Sequence, residues 1–198
     1  MPGFDGFYRR RGKRFLDLAL TVPALLALAP ALAAIALAVR LDSPGPALFR
    51  QSRAGLGGEP FELLKFRTMT DRRRDVHHEV HAGHPEVTRV GSVLRRFKLD
   101  ELPQLWHVVS GKMSLVGPRP DLPEHLPSYD EHGRKRLLVP PGCTGLAQVR
   151  GSIHLTWPER WRWDARYVDR LSLATDLKIL AQTVGVLLLG EKRYLERP

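Results

Sequence analysis

From Phe15 to Val39 the chain is apolar with a single charge, Asp17, and no polar face interrupts the run. About 20 such residues suffice to cross a bilayer as a helix, so the run predicts membrane insertion. A secretory signal peptide has a shorter apolar core ending before a polar mature sequence, whereas this run ends at Arg40. A buried core helix, apolar all round and this long, is out of scale with so small a domain. Arg9, Arg10, Arg11, Lys13 and Arg14 precede the run and Arg40, Arg50 and Arg53 follow it. A spanning helix usually has one basic side. Pro23 and Pro30 also fall inside it, and Pro30 removes a backbone hydrogen bond near its middle. The expectation is a re-entrant helix, broken at Ala29 and Pro30, that enters one leaflet and returns to the same side. Residues 1–40 would then be a basic N-terminus and membrane helix, and residues 41–198 a cytoplasmic catalytic domain with a C-terminal amphipathic helix.

Beyond the turn Asp42-Ser43-Pro44-Gly45-Pro46, the segments Ala47 to Gln51 and Phe61 to Met69 read as the strands of a hairpin around the Gly55 to Pro60 turn. Period-two alternation puts Lys65 and Arg67 on one face, spaced to hold one anion or to form a solvated strand face. A polar stretch from Asp71 to Glu86 carries His77, His78, His81 and His84. His77 and His81 have the helical spacing of two metal ligands, but a charged loop over the site explains the same residues without a metal.

Pro103 is tolerated only in a first helical turn and Gly111 is a natural stop, which predicts a helix from about Asp100 to Ser110. A further helix is expected from Ser128 to Leu138, stopped by Pro140-Pro141-Gly142, with Thr144 to Val149 a loop or strand. Trp157, Trp161, Trp163 and Tyr167 alternate with Arg160, Arg162, Arg166 and Arg170, a pattern equally suited to a membrane interface and to a core. Ser172 and Gly190 bracket an amphipathic helix from Leu173 to Leu189, placed against the anchor or in the headgroup layer. The fold class is α-rich α+β: a Pro-broken re-entrant helix, a small β-hairpin, and amphipathic helices at the membrane surface.

Length matches one domain plus an anchor, 198 residues in all. The balance of 31 Lys+Arg against 21 Asp+Glu points to an anionic partner: nucleic acid, an anionic membrane, or a phosphorylated substrate. One cysteine, Cys143, excludes an internal disulfide and a cysteine zinc cluster, and reads as a small buried filler.

The candidate chemistry is Asp100-Glu101. Placed at a helix start, these carboxylates either cap the helix or, held ionised by exposed N–H groups, serve as nucleophile or metal ligand. Their neighbours favour the second reading. Arg95, Arg96 and Lys98 lie just upstream, and Pro118 and Pro120 fix the backbone around Arg119 downstream, an arrangement suited to a diphosphate.

Taken in order, Lys13-Arg14-Phe15-Leu16-Asp17, the Pro-broken apolar helix, Lys65-Phe66-Arg67-Thr68-Met69, Leu99-Asp100-Glu101-Leu102-Pro103-Gln104-Leu105, Ser114-Leu115-Val116-Gly117-Pro118-Arg119-Pro120 and Pro141-Gly142-Cys143-Thr144-Gly145-Leu146-Ala147-Gln148-Val149 closely resemble the bacterial sugar transferases, the monotopic polyprenyl-phosphate phosphoglycosyl transferases. The resemblance runs from Lys13 to about Leu189. It implies transfer of a sugar 1-phosphate from a UDP-sugar to undecaprenyl phosphate with release of UMP, the first membrane step of surface-glycan assembly, at the cytoplasmic face of the bacterial inner membrane. It also implies Asp100 as nucleophile, Glu101 as Mg²⁺ partner beside Asp100, and Lys65, Arg67, Arg95, Pro118, Arg119, Pro120 and Gln148 around the substrate, with Ala29-Pro30 as the helix break. Membrane lipids are the other partner, and a homodimer is left open. Lys112, His107, Pro140, Leu146 and Arg150 depart from the family's frequent residues, which bears on sugar choice and nucleotide contacts.

The alternative is a membrane-tethered protein that binds nucleic acid or anionic lipid without catalysis. Its basic residues would form a reading helix or aromatic sheet, whereas here they are dispersed around an acidic pair, so nucleic acid is not an expected partner. A glycosidase needs carboxylates facing each other across a sugar, and sequence neighbours at a helix start diverge.

Overall fold

A short π-helical turn at Tyr8–Gly12 leads into one long helix, α1 (Lys13–Asp42), in a computed structural model that describes residues 6–70, 86–190, 193, 195, 196 and 198. The histidines His77, His78, His81 and His84 therefore lie outside the described residues. After α1 come β1 (Leu48–Ala54), β2 (Pro60–Phe66), α2 (Arg89–Arg96), α3 (Leu105–Val109), β3 (Ser114–Val116), α4 (Glu131–Lys135), β4 (Gly142–Thr144), α5 (Trp157–Asp169) and α6 (Leu173–Leu189), joined partly by 3-10 turns.

Helix α1 is inside out. Its buried residues are Lys13, Asp17, Thr21 and Val39, while Phe15, Leu26 and Leu41 are each more than 70% exposed. Over its first turns the polar groups Lys13, Asp17 and Thr21 face the protein, and large apolar side chains along the helix face outward, the distribution that lipid rewards and water penalises. At its start, Lys13 Nζ pairs with Asp176 at 2.7 Å, and Arg14 donates to the carbonyls of Val108 and Val109. Asp17 accepts from the Ser114 hydroxyl and the Leu115 N–H, each at 3.0 Å. At its other end Val39 packs with Phe66 and Leu94, and Asp42 accepts from Val90 N–H at 2.9 Å. Both ends thus rest on one globular body. The helix runs through Pro23 and Pro30 without interruption, so the expected break at Ala29 and Pro30 does not unwind it. A proline deletes one ladder bond and bends a helix without ending it when the flanking turns hold.

The hairpin forms as expected, with Leu48 opposite Phe66 and Ala54 opposite Pro60, but its second strand stops three residues before Met69. Arg67 is the reason. It is 5% exposed and donates to the carbonyls of Pro44 (2.8 Å) and Ser43 (2.6 Å) and to the Ser43 hydroxyl (3.0 Å), closing the turn after α1. A second, parallel pair joins β3 to β4, with Ser114 opposite Gly142 and Val116 opposite Thr144. The strand or loop expected over Thr144 to Val149 is instead β4, two residues earlier, followed by a 3-10 turn at Gln148–Arg150. The helix expected over Ser128 to Leu138 is shorter too: α4, capped by the Asp130 side chain, then a 3-10 turn at Arg136–Leu138.

The run of tryptophans and arginines is helix α5, begun by a Thr156–Glu159 capping box. Trp161 and Trp163 are both 7% exposed, so two of the three tryptophans of this helix belong to the interior, and Arg150 and Arg166 lie over the Trp163 ring at 5.6 and 4.8 Å. Helix α6 has the expected bounds, with the Ser172 hydroxyl accepting from Thr175 N–H and Gly190 as its stop at φ 84°. Tyr8, Val116, Val149, Tyr167 and Ile179 form the main core between α1, β3, α5 and α6.

Candidate active site

Lys98 adopts a left-handed conformation, φ 54° and ψ 23°, which a lysine rarely takes. The turn it makes aims the next residues back toward β2. The single α-helix expected from Asp100 to Ser110 is split in two. A 3-10 helix covers Leu99–Gln104 and only then does α3 begin. Pro103 has no N–H to donate, and the tighter 3-10 winding accommodates it inside the turn that carries both carboxylates.

Glu101 sits in a cationic grip. Its Oε1 accepts from Lys65 Nζ at 2.8 Å and from Arg119 Nη2 at 2.5 Å, while Oε2 accepts from Arg119 Nη1 at 3.2 Å, a forked pairing. Burial by itself would raise the carboxyl, but Arg119 and Lys65 outweigh it and hold Glu101 well below the usual carboxylate range. Lys65 is pushed down by burial, with Glu101 opposing. Asp100 differs. Burial and then the Glu101 charge push its carboxyl up, with Lys65 and Arg95 pulling the other way. None of the described side chains hydrogen-bonds that carboxylate; besides its own backbone N–H it takes no donor from the described residues, which leaves room for an incoming atom.

Each surrounding part is fixed by its own element. Lys65 is placed by β2, and its neighbour Leu64 donates its N–H to His107 Nε2 at 3.0 Å, tying the strand to α3. Since Nε2 accepts, the ring is neutral there, and burial followed by the Lys112 charge depresses its pKa. Arg95, from α2, donates to the Thr68 hydroxyl at 2.8 Å. Arg119 rises from a turn bonded at every residue: Gly117 N–H to Thr144 O, Pro118 O to Gly142 N–H, Arg119 O to Arg136, Pro120 O to Arg53, and Asp121 O to Ala54 N–H. Gly117, Gly142 and Gly145 let these backbones touch. A Cβ added at Gly142 or Gly145 would fall 2.1 Å from a Gly117 backbone atom, closer than any side chain survives.

The structure therefore brings together Asp100, Glu101, Lys65, Arg95 and Arg119, with Pro118 and Pro120 shaping the turn beneath. It does not bring Arg67 beside Lys65. The expected shared anion site fails because β2 ends at Phe66 and Arg67 swings into the backbone after α1. Gln148 donates to Cys143 O at 3.1 Å, and its Oε1 is buried without a hydrogen-bond partner. Burial pushes the Cys143 thiol up to about 12, the behaviour of an inert filler. His107 and Arg136, which hold the frame of the site, carry no local sequence signal that separates them from other basic residues. Their roles come from contacts made across 43 and 17 residues.

Adjacent carboxylates, one clamped by cations and one open beside them, are suited to phosphoryl chemistry, where positioning and charge neutralisation carry catalysis. The comparison with known proteins agrees. The family model described as bacterial sugar transferase matches residues 8–190. A "UDP-glucose:undecaprenyl-phosphate glucose-1-phosphate transferase" of Caulobacter vibrioides (strain ATCC 19089 / CIP 103742 / CB 15) is 45% identical over 92% of this chain and 72% of its own length. The "uncharacterized sugar transferase EpsL" of Bacillus subtilis (strain 168) is 41% identical over 90% of this chain and 88% of its own. An Escherichia coli (strain K12) transferase with the same name as the Caulobacter protein is 41% identical over 87% of this chain but only 39% of its own, longer chain. The chain belongs to the bacterial sugar transferase family and is a membrane-associated enzyme of the phosphoglycosyl transferase type.

Proposed function

We propose that the protein transfers a sugar 1-phosphate from a UDP-sugar to undecaprenyl phosphate, releasing UMP, through a phosphosugar carried on Asp100. The observation that carries this reading is the contrast within one dipeptide: Glu101 is held by Lys65 and Arg119, while the Asp100 carboxylate beside it accepts no described side chain. An Asp100 oxygen attacks the phosphorus that bears the sugar, and its bond to the UMP oxygen breaks. A phosphate oxygen of undecaprenyl phosphate then attacks the same phosphorus, and the carboxylate leaves. Splitting one displacement into two lets a water-borne donor and a lipid-borne acceptor use one site in turn.

Lys65, Arg95 and Arg119 offset charge on the diphosphate oxygens. Asp100 and Glu101 are the residues that would hold Mg²⁺, whose shell needs only one or two carboxylates beside phosphate oxygens and water; among the described residues no larger ligand group gathers. Mg²⁺ when bound supplies neutralisation of the phosphoryl oxygens and of the departing UMP.

The membrane placement derives from α1. A helix of 30 residues measures about 45 Å, yet both its ends pack on one globular body, so the reading keeps both ends at the cytoplasmic face with the apolar middle bent into one leaflet at Pro30. Helix α6, which exposes Val184, Leu187 and Leu188, lies at the surface of that leaflet.

The test is UMP release from a panel of UDP-sugars by purified protein with undecaprenyl phosphate and Mg²⁺. Release that needs the lipid acceptor and disappears in Asp100→Asn supports the reading. Equal release without the acceptor, or an active Asp100→Asn enzyme, contradicts it.

A further inference from the structure

Arg136 lies below the Pro118-Arg119-Pro120 turn, 5% exposed, and no sequence motif marks it. A buried guanidinium is costly unless every donor is satisfied. Here the four terminal N–H groups meet four acceptors. Nη1 donates to Asp121 Oδ2 at 3.2 Å and to the Tyr129 hydroxyl at 2.9 Å; Nη2 donates to Asp164 Oδ2 at 3.0 Å and to the Arg119 carbonyl at 2.5 Å. Of the two acids, Asp121 is itself held by further donors, while Asp164 Oδ1 is buried without a hydrogen-bond partner. Asp121 also accepts from Leu122 N–H at 2.8 Å and the Tyr129 hydroxyl at 3.0 Å, and pairs with His125 Nδ1 at 2.7 Å. Asp164 is placed by α5 and Arg136 by the turn after α4, so the node links three separate parts of the fold to one backbone oxygen.

That oxygen belongs to the residue whose side chain forks onto Glu101. The Arg119 guanidinium is 45% exposed, and two prolines stiffen the main chain on either side of it. An error in the height or tilt of this turn passes directly to the fork. We propose that Arg136 is a positioning residue for the transferase reaction: by fixing the Arg119 carbonyl, with Asp121 and Asp164 as its counter-charges, it sets the Arg119 guanidinium against Glu101 and the donor diphosphate. The inference rests on the functional reading above and adds to it a residue that touches no reacting atom.

Arg136→Lys keeps the charge but cannot serve four acceptors. It is expected to lower kcat/KM about tenfold or more, since small misplacement of a charge clamp is costly. A merely structural role would produce that fall independently of Arg119, so the decisive readout is a double-mutant cycle with Arg119→Lys, which keeps the cation and loses the fork. If Arg136 acts through Arg119, adding Arg136→Lys to Arg119→Lys costs less than about threefold. Asp164→Asn, nearly isosteric and measured in the same cycle, supplies a second variant should Arg136→Lys not fold, judged by thermal unfolding; its effect is expected to be in the same direction and likewise coupled. Full activity of folded Arg136→Lys, or losses that multiply in full with Arg119→Lys, would overturn the proposal. Absence of acceptor-dependent UMP release from the wild-type protein would overturn the functional reading and this inference with it, a result distinguishable from a cycle that merely fails to couple.

Discussion

Two pairs of carboxylates in this fold have been given different surroundings. At the foot of α1, Asp17 and Asp176 are sealed from water. Asp176 is fully buried and accepts from the Tyr8 hydroxyl at 2.6 Å, Lys13 Nζ at 2.7 Å and the Tyr167 hydroxyl at 2.8 Å. Asp17 takes a hydroxyl and a backbone N–H from β3. Their oxygens are committed to joining the membrane helix to the domain. At the candidate active site, Glu101 is committed in the same way, but among the described residues Asp100 has no side-chain donor, and Lys65 and Arg95 act on it through space. Beyond the deeper burial of Asp17 and Asp176, one feature sets Asp100 apart from the other three acids. No described side chain donates to its oxygens.

The difference predicts different consequences of removing each acid. Asp100→Asn deletes the open carboxylate with little change in shape, so turnover is expected to fall by at least about four orders of magnitude while the thermal midpoint barely moves; acceptor-dependent UMP release and thermal unfolding check both halves. Asp176→Ala should do the reverse. It strands Lys13 in the interior and is expected to cost about 3 to 5 kcal/mol of stability, seen as a large drop in thermal midpoint. Glu101→Gln lies between: the fork to Arg119 loses its charge, activity is expected to fall about 10- to 100-fold, and the Mg²⁺ concentration for half-maximal rate should rise. An unchanged Mg²⁺ dependence would remove Glu101 from the metal site.

The smallest effect concerns the frame. His107 must be neutral at Nε2 to accept from Leu64, and its folded pKa lies below the ordinary value near 6.5. On acidification the unfolded chain takes up this proton first, so the stabilisation present above about pH 6.5 is lost as pH falls through and below it. His107→Asn should flatten the slope of thermal midpoint against pH across that window, by an amount equivalent to about 1 kcal/mol or less.

The outer parts of this architecture are legible in the sequence because they rest on local rules. Ser172 and Gly190 bracket α6, the Gly55 to Pro60 turn joins the hairpin, and an apolar run of this length marks α1. The acidic pair and Arg119 stand out through their motifs. What escapes is set by contacts distant in sequence. Alternation assigns Arg67 to the Lys65 face of β2, yet three carbonyls near the end of α1 claim it. The single helix expected after Lys98 becomes a 3-10 turn because a left-handed residue and Pro103 wind it tighter than apolar periodicity reveals. Trp161 goes inward against Tyr129 and Gly133 beside α4, and Trp163 against Ala147 and Leu155, partners absent from their own spacing.

The most direct test of the phosphosugar on Asp100 is mass spectrometry of the protein mixed with its UDP-sugar and Mg²⁺ in the absence of undecaprenyl phosphate. The predicted result is one equivalent of UMP, a sugar-phosphate mass on the peptide containing Asp100, loss of that mass when undecaprenyl phosphate is added, and no such mass in Asp100→Asn. Turnover with the lipid acceptor but no adduct under any of these conditions, or an adduct that survives in Asp100→Asn, would contradict it.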